Sequence, residues 1–281
     1  KQKAKVQEIV DELKKEKALI ESGSVKLNGN WISPEEAAKD NYNHSARIVF
    51  ARMQTMSKKG NFQEAFNYFE ELQNKFLHSI AYTNAISAAL EILPKYDIIL
   101  TREEKAYQIR TKEREEQYRS MDAQDKLRTE QAFQSAMKKF QEKVKEAQTM
   151  KKVWLPINQW DLKSIQGARQ TILKETKKLE SINLAVNRTT SVALSNAFLN
   201  VSSGDLENAK KELAVAKTNG ARGQAIDDLS DKIDNGLKEK EEAERAAAIA
   251  AAEIERKEKE DSEKEAKEKK KAEDEALAAA K

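Results

Sequence analysis

Apolar positions recur every three or four residues along most of this chain, the period of helices that bury one face. Residues 1 to about 22 set Val6, Ile9, Val10, Leu13, Ala18, Leu19 and Ile20 among lysines and glutamates. That spacing predicts an amphipathic opening helix that breaks at Ser22-Gly23-Ser24. The period then shortens to two: Val25-Lys26-Leu27 and Asn30-Trp31-Ile32 flank Asn28-Gly29, a pair that tolerates the positive φ of a type I′ turn. A small β-hairpin is expected there. Ser33 next supplies an N-cap, Pro34 suits the first helical position and Glu36 closes a capping box, so a helix starts at Pro34.

Helical spacing resumes with Ile48, Val49, Met53 and Met56, which run down one helix to Lys59-Gly60. Phe62, Ala65, Phe66, Phe69, Leu72 and Phe76 mark the next, and the two form a helical hairpin with the aromatics in its core. A third helix, from about Ser79 to Leu93, is expected to stop before Pro94. Thr101-Arg102-Glu103-Glu104 reads as another capping box opening a charged helix through Tyr107, Ile109 and Tyr118, with Ser120 or Asp122 capping its successor. In that successor Phe133, Met137, Phe140, Val144 and Ala147 step by four, three, four and three, a short heptad seam suited to one other helix. The seam could close within the chain or make a homo-oligomer through helix 125–152. Val153 to Trp160 then interrupts the helices with two tryptophans and Pro156, and a helix from Asp161 to about Ala185 follows.

Two segments share a pattern. Gly60-Asn61-Phe62-Gln63-Glu64-Ala65-Phe66-Asn67-Tyr68-Phe69-Glu70-Glu71-Leu72 has its counterpart in Gly204-Asp205-Leu206-Glu207-Asn208-Ala209-Lys210-Lys211-Glu212-Leu213-Ala214-Val215-Ala216. The latter follows a helix through Val192, Ala193, Leu194, Ala197, Phe198 and Val201. Both resemble the second half of a tetratricopeptide repeat, which gives repeat-like hairpins around 46–93 and 190–235. The resemblance implies a groove lined by the leading helix of the first pair, exposing Arg47, Gln54 and Lys58 to a bound peptide. Phe50 stands where the family's carboxylate-gripping pattern has a lysine, so capture of a peptide terminus is not implied. Trp154 and Trp160 either seal a core or form an exposed anchor for a partner.

Composition narrows this picture to an all-α protein. Charged residues make up 35% of the chain while Gly and Pro number only 8 and 3, too few for the turns of an extensive sheet. The net charge of +3 comes from interleaved signs, so no nucleic-acid partner is expected. No apolar run approaches the ~20 residues of a membrane span. With no cysteine, and with His44 and His78 far apart and without ligand-like neighbours, no catalytic, metal or cofactor site is expected. From Leu237 to Lys281 the chain turns to Ala, Glu and Lys with Ile249, Ile254 and Leu277 as its large apolar residues, as in a charged single helix. It resembles the spacer helices of some bacterial envelope proteins.

The expected organisation is therefore an N-terminal helix and hairpin (1–33), a first repeat-like unit (34–100) and long charged helices (101–152). A tryptophan-bearing insert with a second repeat-like unit (153–236) and the charged tail (237–281) complete it. The expected function is a non-enzymatic scaffold or adaptor that binds a protein partner, with a structural coiled-coil spacer of the envelope as the alternative. A start at Lys1 without a signal peptide suits a mature exported protein or a trimmed chain, and export to the periplasm or envelope is expected.

Overall fold

A computed structural model describes residues 2–27 and 29–279, and among them the chain forms ten helices and one two-stranded antiparallel sheet. The opening helix, α1 (Gln2–Glu21), ends where expected, through Ser24 N–H donating to Leu19 O and Gly23 at φ +83°. Strands β1 (Val25–Leu27) and β2 (Asn30–Ile32) pair with Val25 opposite Ile32 and Leu27 opposite Asn30. Of the Asn28-Gly29 tip, Gly29 has φ +87° and Asn28 lies outside the described residues. Ser33 caps α2 (Pro34–Lys39) by accepting from Glu36 N–H.

This second helix is short because Asp40 ends it and caps the next, α3 (Asn41–Lys58), accepting from Asn43 N–H at 3.1 Å. Helix α4 (Phe62–Lys75) returns against α3. Their link closes with Asn61 N–H on Met56 O and Gly60 N–H on Ser57 O, with Gly60 at φ +74° and Asn61 capping Glu64 N–H. Helices α8 (Leu184–Ser203) and α9 (Leu206–Thr218) repeat the device: Asp205 N–H bonds Asn200 O, Gly204 has φ +81°, and Asp205 caps Asn208 N–H. In each pair the αL glycine satisfies the last carbonyls of one helix and the Asn or Asp after it satisfies the first amides of the next. Ala65 and Ala209, five residues after each glycine, are both fully buried.

The expected stop before Pro94 does not occur. Helix α5 runs unbroken from Ile80 to Ser120 with Pro94 inside it, and Thr101 to Glu104 lie in its interior rather than at a new start. Pro94 is exposed, while Ile92, Leu93, Tyr96 and Leu100 are buried on either flank. That burial offsets the roughly 3 kcal/mol cost of an interior proline. Asp122, not Ser120, caps α6 (Ala123–Thr149), accepting from Asp125 N–H at 2.8 Å. The following helix, α7 (Leu162–Glu180), ends short of Ala185 because Asn183 starts α8 by accepting from Ala185 and Val186 N–H.

One core runs through α3, α4, α5 and α7 and takes Trp154 from the 153–160 loop. Trp154 stacks on Phe66 with ring centroids 4.1 Å apart, and Phe66 in turn lies 5.9 Å from Tyr96. Polar groups fix the loop there: Tyr96 Oη donates to Gln63 Oε1 at 2.7 Å, Gln63 Nε2 to Trp154 O at 3.2 Å, and Val153 N–H to the buried Glu70 carboxylate at 2.8 Å. Arg169 ties α7 to α5 through Asp97 at 2.9 Å and Glu104 at 2.6 Å. The heptad seam of α6 is met within the chain. Phe140 and Ala147 are buried, Phe133 packs edge-on against Trp160 at 6.2 Å with the Arg114 guanidinium 3.5 Å over its ring, and Met137 Sδ accepts from Asn158.

Helix α10 (Gln224–Ala279) forms a compact unit of its own. It begins ahead of the change in composition at Leu237. Ile249 and Ile254 are 62% and 60% exposed, and ion pairs such as Arg245–Glu241 and Lys259–Glu255 span single turns.

Candidate binding groove

Helix α3 carries the expected groove residues on one stripe, since positions 47, 51, 54 and 58 are three or four apart. Arg47 and Gln54 line a cavity of about 790 Å³ bounded by the hairpin, α2, α3, α5 and α8, while Lys58 stands exposed outside its lining. Ile80, Ala81 and Asn84 form the α5 wall, and Ser195 and Leu199 the α8 wall.

Asp40 holds three of these elements together. Its carboxylate caps α3, accepts from Asn43 Nδ2 at 2.9 Å and accepts from Ser195 Oγ at 2.9 Å. Asn43 in turn accepts from Ile80 N–H at 3.2 Å and so fixes the first turn of α5. Next to it Tyr42 packs between Phe76 and Phe198, and its hydroxyl accepts from His78 N–H at 3.1 Å. Burial pushes the Tyr42 hydroxyl up to about 12, with the Asp40 charge adding to the shift, so it stays protonated.

The charges of the groove differ in how far they are satisfied. Asp40 is fully engaged, whereas the exposed Arg47 has no ion pair or side-chain hydrogen bond among the described residues. His44, buried beside it, has its pKa lowered by burial and then by the Arg47 charge, which keeps the imidazole neutral near pH 7. Glu35, Glu36 and Lys39 mark the α2 rim, and Phe50, Ile80 and Leu199 offer apolar surface between the polar groups. A lone guanidinium beside amides and apolar patches can hold a chain with both polar and apolar side groups.

The two tryptophans lie elsewhere. Trp154 is 4% exposed and belongs to the core, and Trp160 is half-buried against Phe133. Asn43, His44, Asn84 and Leu199 join the groove without having been singled out as groove residues from the sequence. Asn43, three residues after a capping Asp, carried a local signal. Leu199 and Ser195 did not, because α8 meets α3 across 155 residues of chain. Among the described residues no group of three or more His, Asp or Glu side chains could hold a metal ion, and no helix is long and apolar enough to cross a membrane. No protein-family model matches the chain, and comparison with curated proteins and with solved structures finds no match.

Proposed function

We propose that this chain is a helical-hairpin scaffold that binds a segment of a partner protein in the groove between α2, α3, α5 and α8. The observation that carries the reading is the unpaired Arg47 guanidinium in a cavity of about 790 Å³ with Gln54, Asn84 and Phe50 around it. A tetratricopeptide-like character is supported by the identical Gly-Asx links of α3/α4 and α8/α9 and by the buried alanine at the same offset in each. Selection of peptides from a displayed library on the whole chain tests it. Selected peptides should photo-crosslink to α3 at Arg47 or Gln54, and Arg47→Glu should weaken them at least tenfold. Peptides that crosslink elsewhere and ignore Arg47→Glu would sink the reading.

A structural spacer is the second reading, and the length of α10 favours it: 56 residues span about 84 Å at ~1.5 Å per residue. Placement in a bacterial envelope belongs to both readings and rests on the absence of cysteine and on the Ala/Lys/Glu-rich tail. Cell fractionation with an antibody to the body tests that placement.

A further inference from the structure

We infer that the cleft between α6, the 153–160 loop and α7 is a binding site for a small anionic amphiphile, an apolar chain that ends in a carboxylate. The cleft holds about 400 Å³, within the range of about 300–1,000 Å³ usual for small-molecule sites. Val144 of α6, Trp154 and Pro156 of the loop, and Gly167 and Ala168 of α7 make its walls apolar.

Gly167 is the first pointer to a ligand. A glycine inside a helix weakens it relative to alanine, and is normally explained by a positive φ or a close neighbour. Gly167 has neither: its φ is helical, and a Cβ built on it would meet nothing within 4 Å. Gly167 is exposed, and without a side chain it leaves this wall of the cleft open.

The second pointer is the balance of polar groups. Ser164 and Thr171 spend their hydroxyls on Asp161 O and Gly167 O, and the Asp161 carboxylate caps α7 through Lys163 N–H. The Lys163 ammonium and the Gln148 amide, both of exposed residues in the lining, make no bond to protein among the described residues, and Lys163 is the one cation of that lining. Lys151 and Lys152 follow α6 just before the loop, exposed and outside the lining of the cleft. Lys151 holds φ +55°, the left-handed conformation that helix ends usually give to glycine. An apolar tail fills the cleft while a carboxylate head meets the free cation and amide. A cationic head would be repelled by Lys163, and a neutral one would gain no charge-assisted bond from it.

The site shares no wall with the peptide groove, so its test is independent of that reading. Isothermal titration of the full chain with sodium laurate, below its micellar concentration, should give one-to-one binding. Dodecylamine should bind at least tenfold more weakly. Gly167→Leu, which fills the cleft, should reduce laurate affinity at least tenfold, and Val144→Trp should do the same from the opposite wall. Lys163→Glu should reverse the preference between laurate and dodecylamine. Circular dichroism melts establish that each variant is folded. No heat at the solubility limit would overturn the proposal. So would laurate binding that survives both plugged clefts, because it would then be adhesion to other exposed apolar surface such as the Val6, Ile9 and Leu13 stripe of α1.

Discussion

Burial lowers the pKa of both His44 and His78 and so holds both neutral. His78 is also an acceptor, its Nε2 taking Arg222 N–H at 3.2 Å, a bond that a protonated ring could not make. Below about pH 6.5 the unfolded chain binds protons that the folded chain refuses. Stability is therefore fully present above that pH and falls as the pH drops from 6.5 toward the lowered folded values. Urea midpoints at pH 7.5, 6.0 and 5.5 should decline, and His78→Gln should flatten part of the slope. Glycine gives a second check at this scale, because the same substitution should act with opposite signs at two positions. Gly167→Ala should stabilise by about 0.5–1 kcal/mol, whereas Gly60→Ala at φ +74° should cost about 1 kcal/mol or more. Thermal denaturation reads both. Gly60 was legible from its neighbours, since Lys-Gly-Asn between two apolar periods is a helix-end signature. The opposite character of Gly167 was not, because an open space beside a helix belongs to its neighbours in the fold.

Local caps made several elements legible, although the equally local pattern at 101–104 misled, since it lies inside α5. Ser33, Asn61, Asp122 and Asp205 stop or start helices through bonds to residues three apart, which a sequence displays directly. Pro94 misled because proline weighs against a helix by a fixed local amount, while the burial of Leu93, Tyr96 and Leu100 that outweighs it depends on where α7 lies. Pro94→Ala should consequently lengthen no helix but stabilise the chain, by about 1–3 kcal/mol, as a hydrogen bond to Leu90 O becomes available. An unchanged melting temperature would mean that the backbone around Leu90 is too distorted to make it. Asp122→Ala should cost about 1 kcal/mol by leaving the first amides of α6 uncapped. Candidate site residues followed the same rule: Arg47 and Gln54 share a stripe of one helix and were found together, while the α8 wall was invisible to any local pattern.

At the scale of the molecule, three sequence segments contribute to a single core. Residues of α3 and α4, the first half of α5, Trp154 and α7 close one apolar cluster, with Trp154 stacked on Phe66 as its keystone. Trp154→Ala should therefore cost about 3–5 kcal/mol and lower the melting temperature of the whole body in one transition. A body that instead melted in two steps would show that α3 and α4 keep a core without the loop. The same packing gives α5 a mechanical character. Its first turns form a wall of the groove at Ile80 and Asn84, its middle is gripped by the core, and its last turns carry α6 through Met121 and Asp122. A rod of 41 residues, about 60 Å long at ~1.5 Å per residue, thus joins the groove to the start of α6 without an intervening loop. A pull at Met121 would be taken up where α7 and the core clasp α5, between Ile92 and Glu104, so the missing rung at Pro94 lies inside the clamp and the groove beyond it stays still.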